Sequence, residues 1–187
     1  MTENQHPWRP DFLEALRLLA RLSDALDARG LPRPVLVGGG AVEFYSGSAL
    51  MTGDIDVTSP VQDELEEELQ QLGFIRPSDP GRSLRGWIHP AIALGFEVVG
   101  SSPLGGGIDA SRLRLVAPIG DTAKFRIISV EDLIADRMGQ YASDTAPDML
   151  GQARFLHRLY PNLDRAYLDR RIRQETLGGC GAEDLEG

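Results

Sequence analysis

Two adjoining stretches decide the fold: Val35-Leu-Val-Gly-Gly-Gly-Ala-Val-Glu-Phe-Tyr45, and Thr52-Gly-Asp-Ile-Asp-Val57 after it. An apolar run ends in three glycines, a short helical segment follows, and two aspartates then flank one isoleucine. Val35–Val37 reads as a short strand, Ala41–Tyr45 as the first turns of a helix entered through the glycines, and Asp54–Thr58 as a second strand. Side chains alternate along a strand, so Asp54 and Asp56 share one face while Ile55 turns into the core. Two carboxylates so close repel unless a cation sits between them. Oxygen-only ligands favour a hard cation, and Mg²⁺ is the natural candidate. Glycines upstream let backbone N–H groups approach a phosphate at a helix N-terminus. The pattern points to a metal–nucleotide site.

Upstream, Asp11–Arg29 reads as a helix with an apolar stripe of Phe12, Leu16, Leu18, Leu19, Leu22 and Leu26, and Gly30 as its C-terminal cap. Downstream, Ser59-Pro60 reads as a helix start and Asp63–Leu72 as the helix. Strands are expected at 74–76, 83–89, 92–99, 112–116 and 124–128, with a turn at Pro80-Gly81. On 92–99, Phe96 and Val98 share one face, and Glu97 and Val99 the other. Ser129-Val-Glu-Asp132 opens a helix with a cap and two acids in its first turn. Two more helices follow, at 147–159 and 162–174. The expected fold is α+β: a small mixed β-sheet flanked by helices, with C-terminal helices. Residues 1–176 form one domain, helical from about 129. The glycine-rich, acidic residues 177–187 read as a disordered tail.

Composition is that of an ordinary globular chain, 42% apolar and 25% charged over 187 residues. No apolar run approaches the roughly 20 residues that span a bilayer. The opening residues lack the basic-then-apolar order of a signal peptide, and Cys180 is the single cysteine, which excludes an intrachain disulfide. The expectation is a cytoplasmic protein without membrane contact. A net charge of −9 argues against a broad nucleic-acid footprint. A local one stays open at Arg154, Arg158, Arg165, Arg170, Arg171 and Arg173. The plainer alternative is that these arginines solvate helix faces and pair with nearby acids. His6 and His157 lack ligand spacing, and no His/Cys cluster suggests zinc.

Gly38-Gly39, a short helix, and Thr52-x-Asp54-x-Asp56 together resemble the nucleotidyltransferase superfamily with the DNA polymerase β-like fold. The pattern looks closest to the small prokaryotic branch related to AbiEii-type toxins of toxin–antitoxin systems. Trp87-Ile-His-Pro90, Gly95-Phe-Glu-Val98 and Val130-Glu-Asp-Leu-Ile-Ala-Asp-Arg137 also look like that branch, so the resemblance covers most of the chain. One departure is that Ala49-Leu50-Met51 stands where related sequences often carry an arginine.

The resemblance implies a Mg²⁺-dependent transfer of a nucleoside monophosphate from an NTP, such as ATP, to an acceptor hydroxyl. Asp54 and Asp56 would bind Mg²⁺, one ion or two, with Mn²⁺ as a substitute. Glu97 is the matching candidate for the third catalytic carboxylate on a later, adjacent strand. Gly38 and Gly39 would support the nucleotide phosphates through backbone N–H groups. Thr52 would contact phosphate or serve as a turn residue. Arg137 would neutralise the triphosphate, or pair with Asp136 or Glu131. The acceptor implied by the superfamily is a tRNA end, a protein or a small molecule, and an antitoxin is an implied partner. The alternative is a non-catalytic nucleotide-binding or protein-partner module on the same fold.

Overall fold

A computed structural model describes residues 7–76, 86–144 and 146–186. The chain divides into two compact units, 1–127 and 128–187, where the sequence reading has one domain with a helical C-terminal part.

The first unit opens with α1 (Pro10–Ala28), which starts on a proline whose missing N–H costs nothing there. Phe12, Leu16, Leu19, Leu22 and Leu26 are wholly buried along one stripe. Just past the helix, Gly30 has a φ of +74°, the left-handed conformation glycine tolerates. Leu31 N–H then reaches back to Leu26 O at 3.0 Å, which satisfies a carbonyl of the last turn.

β1 (Val35–Leu36), α2 (Gly38–Ser46), β2 (Asp54–Thr58) and α3 (Gln62–Gln71) follow, then β3 (Trp87–Ile88), β4 (Gly95–Gly100), β5 (Arg114–Val116) and β6 (Phe125–Ile127). The six strands form one mixed sheet in the order β3-β4-β2-β1-β6-β5. β2 runs parallel to β4 and antiparallel to β1, which runs parallel to β6. The edge strands β3 and β5 pair antiparallel with β4 and β6. Leu36, Ile55, Val57, Phe96, Phe125 and Ile127 supply the sheet's share of the core. α1 contacts α3 and β6.

Several boundaries differ from the sequence reading. α2 begins at Gly38 rather than Ala41, so the glycines are its first turn and not a loop before it. α3 begins at Gln62, preceded by Val61, because Ser59 is still tied to the sheet: its N–H donates to Gly100 O at 3.0 Å. Residues 74–76 contribute a single bridge, Ile75 to Ile88, in place of a strand. β4 starts three residues later than expected, since a turn at His89–Ile92 occupies the approach. A 3-10 helix, Ala110–Arg112, takes up the start of the segment read as a strand from 112. Residues 83–85 and the turn at Pro80-Gly81 lie outside the described residues.

The second unit holds α4 (Val130–Ala142), α5 (Met149–Leu159) and α6 (Arg165–Glu175). Ser129 caps α4, its Oγ accepting from Asp132 N–H at 3.0 Å. α6 begins at Arg165 rather than 162, capped by Asp164, which accepts from Tyr167 N–H at 3.1 Å. Asp132 is fully buried and accepts from Tyr167 Oη (2.9 Å), Arg171 Nε (2.8 Å) and Ser129 Oγ (2.6 Å). This network ties α4 to α6, and burial of the carboxylate is tolerable because its oxygens are all engaged. The segment read as a disordered tail carries a 3-10 helix, Ala182–Leu185, with Leu185 buried. Composition misleads there because Asp169 and Asp184 hold the backbone: Ala182 N–H donates to Asp169 at 3.0 Å and Gly181 N–H to Asp184 at 2.8 Å.

Candidate metal centre

The parallel pairing of β2 with β4 sets Asp56 directly opposite Glu97, and Asp54 opposite Gly95. Ile55 and Phe96, one residue along, are buried on the other face. The alternation that buries those two therefore delivers Asp54, Asp56 and Glu97 to one side of the sheet. One carboxylate oxygen from each lies within 4.8 Å of the others. A divalent cation with metal–oxygen bonds of about 2.1 Å closes such a span by small side-chain rotations, and the all-oxygen donor set suits a hard ion. The residues thus fit a Mg²⁺ site on both geometry and chemistry.

The glycines pack against these acids. Gly38 has φ +59°, and a Cβ built on it would stand 2.2 Å from Asp56 Oδ2. A Cβ on Gly39 would stand 2.5 Å from Thr52 Oγ1. Only a backbone without side chains brings the start of α2 this close to the carboxylate cluster. The first N–H groups of a helix have no intrahelical partner, and this end carries partial positive charge. Gly40 instead meets Leu36 and Ile55 side chains, a packing role.

Thr52 does not point away as a free hydroxyl. Its Oγ1 donates to Asp54 Oδ1 at 3.1 Å. The backbone around it is held by a group the sequence reading missed, Glu43 on α2. Glu43 is fully buried and accepts from Arg9 Nε (2.7 Å), Thr52 N–H (2.7 Å) and Ser48 Oγ (2.8 Å). Its carboxylate raises the pKa of Arg9, chiefly through that hydrogen bond, so the guanidinium stays charged. The available signal was a lone acid inside the apolar run Gly-Gly-Gly-Ala-Val-Glu-Phe-Tyr, which needs a partner if buried.

Glu97 also borders a cavity of about 260 Å³ lined in part by Glu66, Arg76 and Trp87. The Arg76 guanidinium lies 4.8 Å from the centroid of the Trp87 ring and pairs with Glu66.

Arg137 belongs to the second unit. It is 6% exposed, its Nη2 pairs with Asp136 at 2.8 Å, and its Nη1 contacts Met149 Sδ. The pair with Asp136 is one of the two partners, Asp136 and Glu131, that the sequence offers beside triphosphate binding. Most of the C-terminal arginines have partners too: Arg154 with Asp184 O, Arg165 with Glu186, Arg171 with Asp132, Arg173 with Asp169 and Glu183, and Arg170 over the Tyr167 ring. His89 packs on Phe74 and accepts from Ala91 N–H, a strand-end role.

Among solved structures, the chain is similar to an antigenic nucleotidyltransferase-like protein from Paracoccidioides brasiliensis, with a TM-score of 0.58 over 96% of this chain and 94% of that one, at 18% identity. The fold is nucleotidyltransferase-like. Weaker overlap is found with ANT(2'')-Ia in complex with adenylyl-2''-tobramycin, at TM-score 0.47 and 20% identity, covering 92% of this chain and 93% of that one. No family model matches the chain, and no curated protein matches it by sequence. No helix among the described residues is long and apolar enough to cross a membrane.

Proposed function

We propose that the protein is a Mg²⁺-dependent nucleotidyltransferase that moves a nucleoside monophosphate from an NTP to an acceptor hydroxyl. The convergence of Asp54, Asp56 and Glu97 within 4.8 Å, on a nucleotidyltransferase-like fold, carries this reading. These three carboxylates would hold one or two Mg²⁺ ions, with Mn²⁺ able to substitute. When bound there, the metal neutralises the leaving pyrophosphate and lowers the pKa of the acceptor hydroxyl.

The chain's own residues do the rest by position. Gly38 and Gly39 present backbone N–H groups to the triphosphate at the start of α2. Thr52 fixes the rotamer of Asp54 through its hydroxyl. Glu97 accepts the acceptor's proton as the acceptor oxygen bonds to the α-phosphorus and the bond to pyrophosphate breaks. The cavity bordering Glu97 offers the acceptor its approach.

The acceptor is a tRNA end, a protein side chain or a small molecule. A net charge of −9 disfavours a long nucleic-acid contact. Resemblance to AbiEii-type toxins supports a toxin role with an antitoxin partner, and a neighbouring small reading frame would strengthen it.

Thermal unfolding of the wild type and Asp56→Ala, with each NTP and with or without Mg²⁺, tests the reading. A ligand at about 100 times its dissociation constant adds roughly 2.7 kcal/mol to the folded state. A Mg²⁺-dependent rise in Tm, absent from Asp56→Ala, is expected; no rise with any NTP would overturn the proposal.

A further inference from the structure

We propose that Arg9 is a positioning residue for the carboxylate cluster, acting through Glu43 and Thr52; the proposal rests on the metal-site reading above. The segment between α2 and β2 contains Gly47 and Gly53 and no regular element. Side chains hold it instead. Glu43 takes Thr52 N–H at 2.7 Å, while Arg9 Nη2 donates to Thr52 O at 2.6 Å. Arg9 Nε and Nη2 also grip the two oxygens of Glu43, at 2.7 and 3.2 Å. One ion pair therefore pins both backbone polar groups of Thr52, and the Thr52 hydroxyl passes that constraint to Asp54 Oδ1.

Arg9 is itself anchored. Its N–H donates to Ser48 Oγ at 3.0 Å, Trp8 Nε1 donates to Phe44 O at 2.9 Å, and the Trp8 ring stacks on Phe44 at 5.0 Å. The N-terminal arm thus latches onto α2 and onto the loop that delivers a candidate metal ligand. A guanidinium fork can engage a carboxylate and a carbonyl at once; a lysine ammonium cannot reproduce that geometry. Groups that orient a metal ligand typically change metal affinity 10- to 100-fold when removed.

The test is Mn²⁺ affinity, read by electron paramagnetic resonance of the free ion, with melting followed in parallel. Arg9→Gln and Arg9→Lys are each expected to bind Mn²⁺ about tenfold more weakly. Arg9→Lys keeps the charge and stem, so it serves if Arg9→Gln folds poorly. Arg17→Gln, which removes an arginine of α1 that pairs with Glu14 on the same helix, is expected to bind as the wild type does. Thr52→Val is expected to weaken binding similarly, and the Arg9→Lys/Thr52→Val double variant no further than the worse single change, because both act on one path. Wild-type affinity in both Arg9 variants, or losses that multiply in the double variant, would overturn this proposal alone. A wild type that binds no Mn²⁺ would overturn the metal-site reading and this proposal with it.

Discussion

Gly38 stands so close to Asp56 that a single methyl group on it would lie 2.2 Å from the carboxylate Oδ2. The same residue has φ +59°, where a side chain is strained whatever the surrounding space. Gly38→Ala therefore combines two costs, and Gly30 separates them. Gly30 has φ +74° but would meet nothing within 4 Å. Gly30→Ala is expected to lose about 1–2 kcal/mol of stability from left-handed strain alone. Gly38→Ala should lose at least as much and also displace Asp56. Urea unfolding reads the first effect and Mn²⁺ binding the second. Intact Mn²⁺ binding in Gly38→Ala would show that the close approach of the glycine turn is immaterial to the cluster.

Asp56 and Glu97 face each other across parallel strands, so in the absence of a cation their charges repel. Glu97→Gln removes one of those charges without changing shape. In EDTA this variant is expected to melt at or above the wild-type temperature. In millimolar Mg²⁺ with NTP the order should reverse, because only the wild type gains ligand stabilisation. Parallel melting curves with and without chelator decide it; a variant less stable in EDTA would mean that Glu97 stabilises the fold by some route other than a metal.

The distance between what could and could not be read from the residues follows from how far each signal travels along the chain. Asp54 and Asp56 share a face because strand alternation is local, and Ile55 between them reports the buried side. The glycine run and the helix behind it were legible for the same reason, as one contiguous pattern; that Gly38 and Gly39 press against Asp56 and Thr52 was not, because that contact depends on the path of the chain between them. Glu97 needed more, since its register opposite Asp56 depends on which strands pair, and the order β3-β4-β2-β1-β6-β5 leaves no periodicity in the sequence. Resemblance supplied that link, and the pairing agrees with it. The Arg9–Glu43 clamp was not legible as a pair: Glu43 stands out as a lone acid in an apolar run, but its partner lies 34 residues away and nothing local names it. The ordered segment 181–186 was misread because glycine and acid content signals disorder only when nothing binds the acids. Here Arg173 pairs with Glu183, while Asp184 and Asp169 accept from backbone N–H groups.

Asp132 and Arg171 form an ion pair that is almost wholly shielded from water, with side-chain exposures of 0% and 3%. Removing one partner of such a pair strands the other charge in the interior, which typically costs about 3–5 kcal/mol. Asp132→Ala is expected to lose about that much. Arg171 keeps contacts with Gln174 and Glu175, which softens the loss toward the lower end. Tyr167→Phe removes one hydrogen bond to the same carboxylate and should cost only about 1 kcal/mol. Urea denaturation of the three proteins checks both magnitudes, and near-equal losses for the two variants would contradict the charge argument.

Cys180 offers the clearest dependence on pH. Burial pushes its thiol pKa up, and the nearby Asp184 and Glu183 push it further in the same direction. A raised pKa means less thiolate at neutral pH, and thiolate is the reactive species. Alkylation by iodoacetamide should therefore be slower near pH 8 than for an unhindered cysteine, with its rise displaced to higher pH. Glu183→Gln removes one of the two negative charges, so its profile is expected to shift part of the way back toward the ordinary thiol range. The remainder should persist, since burial is the larger cause. Rate constants measured from pH 7 to 10 on the folded wild type and variant separate the contributions. A wild-type profile centred at or below the ordinary thiol value of about 8.5 would refute the assignment, and would make Cys180 a more reactive group than its surroundings allow.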